Sequence, residues 1–217
     1  MDEISNFPVT IALVAINVVV SLLALNNQEM FSKSLMWPYG VKRYNQYYRF
    51  ITSGFIHADY IHLFFNMFTL YSFGRVIEVY FSMFGLGGTV AYLALYFLGL
   101  IASDLPSYFK HRDDYNYHSL GASGAVSAVV FAVVVFNPWG GIKLYGALQL
   151  SALLYAVLYI FYCVTMSRRG GDNINHDAHL WGSLFGLGFT IALIAAMQPR
   201  LLEVIFELLK RPSLFGN

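Results

Sequence analysis

The sequence predicts an all-α polytopic membrane protein, a bundle of six transmembrane helices. Of its 217 residues, 58% are hydrophobic and only 12% are charged, whereas a soluble domain carries about 25% charged residues. The mean hydropathy is +0.57. Six apolar segments have the length of a membrane helix, and no polar linker divides them. We therefore expect residues 1–217 to form a single domain.

The thickness of the bilayer defines the six segments. A hydrocarbon core about 30 Å thick takes roughly 17 to 25 residues of helix at 1.5 Å per residue. The segments that reach this length, some only with neighbouring residues, are 9–25, 62–79, 86–102, 120–136, 144–166 and 178–197. Most connections between them are short and contain Gly, Pro or charged residues, as turns do.

The remaining segments are predicted from their composition. Residues 26–61 mix aromatic side chains with Lys and Arg, which suits the headgroup region, so this connection is expected to fold against the membrane surface. Residues 103–119 are rich in charge and contain His111 and His118, as expected of a solvated loop. The tail, 198–217, mixes apolar and charged residues and is compatible with a short interfacial helix.

Composition also excludes several classes of protein. The formal net charge is +1 and no basic cluster is dense, so nucleic acid is not an expected partner. Cys163 is the only cysteine and lies in an apolar run, which excludes an intrachain disulfide and a cysteine metal cluster. The N-terminus, Met1-Asp2-Glu3, lacks the positive region of a signal peptide, so residues 9–25 are kept as the first helix.

The alternation of the helices brings four polar residues to one depth. Successive membrane helices run in opposite directions, so the second, fourth and sixth begin on the same side of the bilayer. His62 and Asn66, Ser123, and His179 lie near the starts of these three helices. We therefore expect their side chains to lie below the same membrane face.

Ser123 has the surroundings that a serine nucleophile needs. Gly121 precedes it and Gly124 follows it, and small residues let membrane helices approach closely. A helix start also leaves backbone N–H groups that can bind a developing oxyanion. The spacing differs from the Gly-x-Ser-x-Gly elbow of soluble hydrolases. A serine among small residues is also common in packed membrane helices, which is the structural alternative.

His179 is the candidate general base. Gly182 and Gly186 follow it at i+3 and i+7 and share its helical face. This glycine face is expected to pack against the small residues around Ser123, which would bring imidazole and hydroxyl within hydrogen-bond distance. The alternative is a histidine that bonds a backbone carbonyl in a helix interface. Asp177 lies at i−2 and points away from His179 on a regular helix, so a Ser-His dyad is favoured over a triad.

His62 and Asn66 are the candidate oxyanion donors. They lie at i and i+4 and face the same way, and both can donate hydrogen bonds. A structural pair that bridges helices is the alternative. A metal site formed by His57 and His62 would lack the ligand spacing of known zinc motifs, so no metal is predicted. A transporter or channel lined by these polar residues is a rival function of another class, and it would show flux without acylation of Ser123.

Three motifs together resemble those of the rhomboid family of intramembrane serine proteases. They are His62-Leu63-Phe64-Phe65-Asn66, Gly121-Ala122-Ser123-Gly124 and Ala178-His179-Leu180-Trp181-Gly182. The resemblance covers residues 9–197 and implies an endopeptidase that cleaves transmembrane segments of membrane proteins. It implies Ser123 as nucleophile and His179 as base. It also implies an oxyanion hole formed by His62, Asn66 and the backbone N–H of Ser123.

Other positions match the family or depart from it. Gly74 and Glu78 match the end of its second helix, and Arg49 matches the arginine of its Trp-Arg motif, in which Tyr48 replaces the tryptophan. Ser127 stands where bacterial members often have a tyrosine that stacks on the catalytic histidine. The sequence therefore leaves open which side chain packs against the imidazole.

The resemblance also implies a setting. The chain looks like the minimal six-helix bacterial form, which lies in the cytoplasmic (inner) membrane with its active site open to the extracytoplasmic face. A count of Lys and Arg alone would favour the opposite orientation. Expected partners are the lipid bilayer and transmembrane protein substrates, and no cofactor is expected. The alternative within the fold is an inactive rhomboid-like protein that binds membrane helices, and the oligomeric state is not predicted.

Overall fold

The computed structural model describes residues 7–144, 148–170 and 174–213. The described residues form ten α-helices, a 3₁₀ turn and one two-stranded hairpin. In chain order these are α1 Pro8–Leu25, α2 Gln28–Ser34, α3 Pro38–Tyr44, α4 Arg49–Thr52, a 3₁₀ turn Ser53–Phe55, α5 Tyr60–Met83, α6 Gly88–His111, α7 Ser123–Phe136, β1 Gly141–Leu144, β2 Leu148–Ser151, α8 Ala152–Arg169, α9 His176–Met197 and α10 Pro199–Leu209.

The helices confirm the all-α membrane class. Three of them, α1, α6 and α9, are long and apolar enough to cross a membrane, and α7 is a shorter apolar helix of 14 residues. Each of the six predicted segments overlaps one helix of 14 residues or more, namely α1, α5, α6, α7, α8 or α9.

The predicted loop 103–119 is partly wrong, because α6 continues past residue 102 to His111. The composition becomes polar at Ser103, and the helix persists because these polar groups find partners inside the protein. The Ser103 hydroxyl donates to the carbonyl of Leu100 at 2.9 Å, and the Asp104 carboxylate accepts from the Ser53 hydroxyl at 3.4 Å. Internal hydrogen bonds thus replace the solvation that the prediction assumed.

The predicted helix 144–166 is also wrong at its start, because α8 begins at Ala152. β1 and β2 pair as an antiparallel hairpin in which Ile142 lies opposite Leu150; residues 145–147 lie outside the described residues. The Ser151 hydroxyl accepts from the N–H of Leu154 at 3.4 Å and caps the helix. A short apolar run fits a strand as well as a helix, so composition alone could not place this boundary.

The connection 26–61 folds around one arginine. Arg49 is buried and donates to the carbonyls of Leu35 at 2.6 Å and Ser32 at 3.2 Å and to the side chain of Gln46 at 2.7 Å. These bonds satisfy much of the guanidinium donor set. They tie α4 to α2 and to the turn that precedes α4.

α7 forms the centre of the bundle. Twelve of its 14 residues are buried, and it packs against α5, α6 and α9. α1 is fastened to α5 by Glu78, whose buried carboxylate accepts from the N–H groups of Val9 at 2.9 Å and Thr10 at 2.8 Å and from the Thr10 hydroxyl at 2.7 Å. The tail contains the expected helix, α10, whose Ile205 is buried in the core.

Candidate active site

A serine and a histidine meet where α7 and α9 begin. Ser123 is the first residue of α7, and its Oγ lies 2.8 Å from Nε2 of His179, in the first turn of α9. Both side chains are partly buried. The two residues are 56 positions apart in the chain, so helix packing alone creates the pair.

Glycines on α9 permit this approach. A Cβ on Gly182 would collide with the backbone of Gly124, and a Cβ on Gly186 would collide with the backbone of Ala128. The two backbones are therefore in direct contact at both points, as small residues allow. The structure thus brings together the two faces that the sequence analysis paired.

Gly121 is the glycine of the predicted site that lies beside His62, and it does not take part in the contact between α7 and α9. Its φ is +113°, which favours glycine, and its N–H donates to the carbonyl of Ser53 at 2.9 Å. A Cβ at this position would lie 2.8 Å from the His62 ring. Gly121 therefore makes room for the imidazole of His62 and does not pack against α9.

His62 faces the serine with a donor nitrogen. Its Nδ1 accepts from the N–H of Ala58 at 3.4 Å, which assigns the ring hydrogen to Nε2. A Cβ built on Gly121 would lie 3.1 Å from Nε2 of His62 and 3.9 Å from Oγ of Ser123. An N–H donor thus stands beside the loop that enters α7.

Asn66 lies one turn further along α5. Its side chain is buried, and Nδ2 donates to the carbonyl of His62 at 3.0 Å. An amide nitrogen carries two hydrogens, so this bond uses one of them. The first N–H groups of α7 add further donors, because the first turn of a helix has no intrahelical acceptors for them. His62 on α5 and the first N–H groups of α7 are therefore the donors nearest the serine, and Asn66 lies one turn beyond His62.

Tyr159 was not foreseen by the sequence analysis. It lies on α8, and its ring is nearly parallel to that of His179, with centroids 6.3 Å apart and planes at 23°. Its hydroxyl is 3.2 Å from Oγ of Ser127. Position 127 has no aromatic side chain, and Tyr159 on α8 supplies the aromatic partner of His179 instead. The Tyr159 hydroxyl lies within hydrogen-bond distance of Ser127. The departure at Ser127 was the one signal in the sequence, but it did not identify the replacement.

The start of α9 is held in place by its own polar residues. Asn175 caps the helix by accepting from the N–H of Ala178 at 3.1 Å, and its Nδ2 donates to the Ser107 hydroxyl on α6 at 3.1 Å. The Asp177 carboxylate accepts from the Ser167 hydroxyl and from Lys110 at 3.0 Å. Asp177 therefore joins α6 to α8, in keeping with a dyad.

His57 is a buried residue behind the site. Its Nδ1 lies 2.7 Å from Oγ of Ser21, which donates to the carbonyl of Phe55, so the ring donates to the serine. Burial, together with the smaller effect of the nearby His62, lowers the pKa of His57 to about 3. The two rings lie 5.0 Å apart. His57 is thus a neutral support for His62 at ordinary pH.

Comparison with known proteins gives a consistent result. A family model described as the Rhomboid domain matches residues 44–196. The chain is 28% identical to "RHOMBOID-like protein 12, mitochondrial" of Arabidopsis thaliana, over 84% of this chain and 57% of that protein. It is 32% identical to "Rhomboid-like protein 11, chloroplastic" of the same plant, over 65% and 50%.

A vertebrate relative is similar to the same degree. The chain is 32% identical to "Presenilin-associated rhomboid-like protein A, mitochondrial" of Danio rerio, over 73% of this chain and 41% of that protein. The chain thus spans about half the length of these relatives.

Proposed function

The chain belongs to the rhomboid family, and on that premise we propose that it is an intramembrane serine endopeptidase that cleaves transmembrane segments of other membrane proteins. The observation that carries the proposal is the 2.8 Å contact between Oγ of Ser123 and Nε2 of His179. A hydroxyl at this distance from an imidazole is within reach for proton transfer. An ionisable histidine in the interior of an apolar bundle is a functional hypothesis by default.

The reaction would proceed by acyl transfer. Nε2 of His179 takes the proton of Ser123 as Oγ attacks the scissile carbonyl carbon, and the imidazolium then donates that proton to the leaving amine. The acyl-enzyme is released by water, which His179 activates in the same way. The negative charge on the carbonyl oxygen would be stabilised by His62, Asn66 and the first N–H groups of α7, which are fixed before the reaction begins.

The short central helix supports a site inside the bilayer. With 14 residues, α7 is about 21 Å long, whereas the hydrocarbon core is about 30 Å thick. If α1, α5, α6, α7, α8 and α9 are all membrane crossings, the start of α7 lies below the surface by several ångströms. Ser123 would then meet its substrate within the membrane, at the end of a polar path from one face.

The proposed setting is the bacterial cytoplasmic membrane, with the α7 start facing outwards. The relatives named above are mitochondrial or chloroplastic, so the compartment rests on the resemblance to the minimal bacterial form. In the Cys163→Ser background, Tyr115→Cys should react with a membrane-impermeant maleimide in intact cells and Met83→Cys should not. The reverse pattern would contradict this orientation.

Labelling with a fluorophosphonate probe tests the proposal most simply. The full chain in detergent should be modified at Ser123, as mapped by mass spectrometry, and Ser123→Ala should not be modified. Ser72→Ala is a matched control, because Ser72 only donates to the carbonyl of Phe68 in its own helix. Equal labelling of parent and Ser123→Ala would refute the nucleophile. Absence of labelling in a folded parent would favour an inactive helix-binding protein.

A further inference from the structure

A thiol and two imidazoles converge beside the dyad. Cys163 lies on α8, and His176 and His179 lie one turn apart at the start of α9. One ligand atom of each, Sγ or a ring nitrogen, lies within 4.8 Å of the others. Cys163 and His176 are buried and His179 is partly buried. No metal site was predicted from the sequence, because its His and Cys spacings match no known zinc motif. The packing of α8 against α9 assembles this cluster from residues that are distant in the chain.

We propose that Cys163, His176 and His179 form a binding site for a thiophilic divalent cation of the zinc class, and that an occupied site switches the peptidase off. Thiolate and imidazole are the ligands that such ions prefer. In a tetrahedral zinc site with sulfur and nitrogen ligands, the ligand atoms lie about 3.3 to 3.6 Å apart, as follows from zinc–ligand bonds of about 2.0 to 2.3 Å. Closing the cluster from its present spacing takes a movement of about 1 Å.

Coordination removes the general base whichever nitrogen of His179 binds the ion. If Nε2 binds, its lone pair is no longer available to take the proton of Ser123. If Nδ1 binds, the neutral ring carries its hydrogen on Nε2, because a ligating histidine keeps its other nitrogen as a donor. In both cases the hydroxyl of Ser123 loses its acceptor. The switch therefore acts on the residue that the proposed function needs most.

A cavity borders the cluster at His176. A cavity of about 110 Å³ is lined by His176 and Asp177, together with Lys110 and residues from the end of α8. Lys110 forms a salt bridge with Asp177 at 3.0 Å. The positive charge of Lys110 is therefore compensated by a carboxylate that lines the same cavity. His176 is both a wall of the cavity and a member of the cluster.

The binding step balances in charge and protons. The Cys163 thiol releases one proton to solvent as its sulfur bonds the ion, since the thiolate is the ligand. Three protein ligands leave the fourth position to water, as in zinc sites that keep an open position. The ion is thus expected to bind reversibly and to be removed by chelators.

Cobalt spectroscopy tests the binding without relying on activity. Co²⁺ added to the full-length Ser123→Ala protein in detergent should produce a thiolate-to-metal charge-transfer band, which excess Zn²⁺ abolishes. The band should be absent in Ser123→Ala/Cys163→Ala. Lack of the band in Ser123→Ala would overturn the site, whether or not the parent proves to be a protease.

Inhibition is tested separately and rests on the proposed function. Zn²⁺ should stop substrate cleavage by the parent, and EDTA should restore it. Cys163→Ala and His176→Gln should cleave at the parental rate without metal and should need at least about tenfold more Zn²⁺ for half-inhibition. The matched control His118→Gln removes an exposed imidazole that stacks on Trp37 and should behave as the parent. Unchanged Zn²⁺ sensitivity of Cys163→Ala and His176→Gln would overturn the switch and would direct attention to His57 and His62.

Discussion

His179 is positioned by aromatic packing and by a helix cap. Tyr159 lies against one face of its ring, and Asn175 fixes the turn of α9 that carries it. Ser123 accordingly meets an imidazole, the proposed base, whose orientation depends on neighbours from α6 and α8. Catalysis by proximity demands this precision, because a displacement of about 1 Å can cost about 10²-fold in rate.

The stacking by Tyr159 predicts a difference between two substitutions. Tyr159→Leu should lower kcat by about tenfold or more, because the imidazole loses its flat partner. Tyr159→Phe keeps the ring and loses only the hydroxyl, which contacts Ser127 and also Cys163, so its kcat should stay within about threefold of the parent. KM should change little in both variants. If Tyr159→Leu retains the parental kcat in a folded protein, Tyr159 does not position the base.

The role proposed for His62 and Asn66 as oxyanion donors predicts a loss confined to the chemical step. Asn66→Ala should lower kcat by about 10²- to 10³-fold and leave KM nearly unchanged, since the charge it would stabilise develops only in the transition state. His62→Ala should act similarly. Asn17→Ala is the matched control, because the Asn17 amide is buried in α1 and bonds Tyr96 at 2.9 Å. It should reduce thermal stability without a comparable loss of kcat, and equal kcat losses in Asn17→Ala and Asn66→Ala would contradict this role.

The buried His57 predicts how stability depends on pH. Its pKa is lowered to about 3 in the folded protein, whereas an unfolded histidine titrates near about 6.5. Between these values the unfolded state binds more protons, so stability is fully present above about pH 6.5 and falls as the pH decreases. The slope from this residue is at most about 1.4 kcal/mol per pH unit.

Thermal unfolding in detergent between about pH 7 and about pH 4.5 measures this dependence, within the window set by the two pKa values. His57→Gln can still donate to Ser21 but does not titrate, so its stability should fall less steeply than that of the parent. His118→Gln, at an exposed site, should keep the parental slope. Equal slopes in all three proteins would show that His57 is not the group responsible.

At the scale of single elements, α9 determines how closely the dyad approaches. Its glycines at 182 and 186 lie on the backbone of α7, whereas Gly188 has open space where a Cβ would be. The same substitution on one helix should therefore have opposite effects at different positions.

Gly182→Ala and Gly186→Ala should each lower activity by about 10²-fold, because the added methyl group pushes α9 away from α7. Overpacking should also lower the free energy of unfolding by about 1 to 3 kcal/mol. Gly188→Ala should keep full activity and become more stable by up to about 1 kcal/mol, because alanine favours the helix. Fluorophosphonate labelling beside thermal unfolding measures both effects. Parental behaviour of Gly182→Ala and Gly186→Ala would refute the close contact.

The presence of the six helices was predictable from the sequence, whereas the end of α6 and the start of α8 were not. Each apolar segment overlaps a helix of 14 residues or more, because burial or lipid contact requires satisfied backbone groups. The end of α6 and the start of α8 were misplaced for opposite reasons. At Ser103 the polar residues are bonded inside the bundle, and at Leu144 the apolar residues form a strand. Both outcomes depend on partners from other elements, which a single segment does not reveal.

At the scale of the whole molecule, the site depends on three helices that start near one another. The positions of Ser123, His179 and His62 were predictable, because alternating helix direction places the starts of the second, fourth and sixth segments together. Tyr159 and Cys163 were not predictable as neighbours of His179. They lie within α8, and only the packing of α8 on α9 brings them there. Residues at helix ends thus follow from topology, whereas residues in helix middles require the packed structure.

The central claim is that Ser123 and His179 act as one catalytic unit, and a mutant cycle on a transmembrane substrate tests it most directly. Initial cleavage rates are measured for the parent, Ser123→Ala, His179→Ala and the double variant, all verified as folded by thermal unfolding. Each single variant should lose essentially all cleavage, and the double variant should be no worse than either single, because residues that act as a unit are not additive. Robust cleavage by Ser123→Ala would contradict the account.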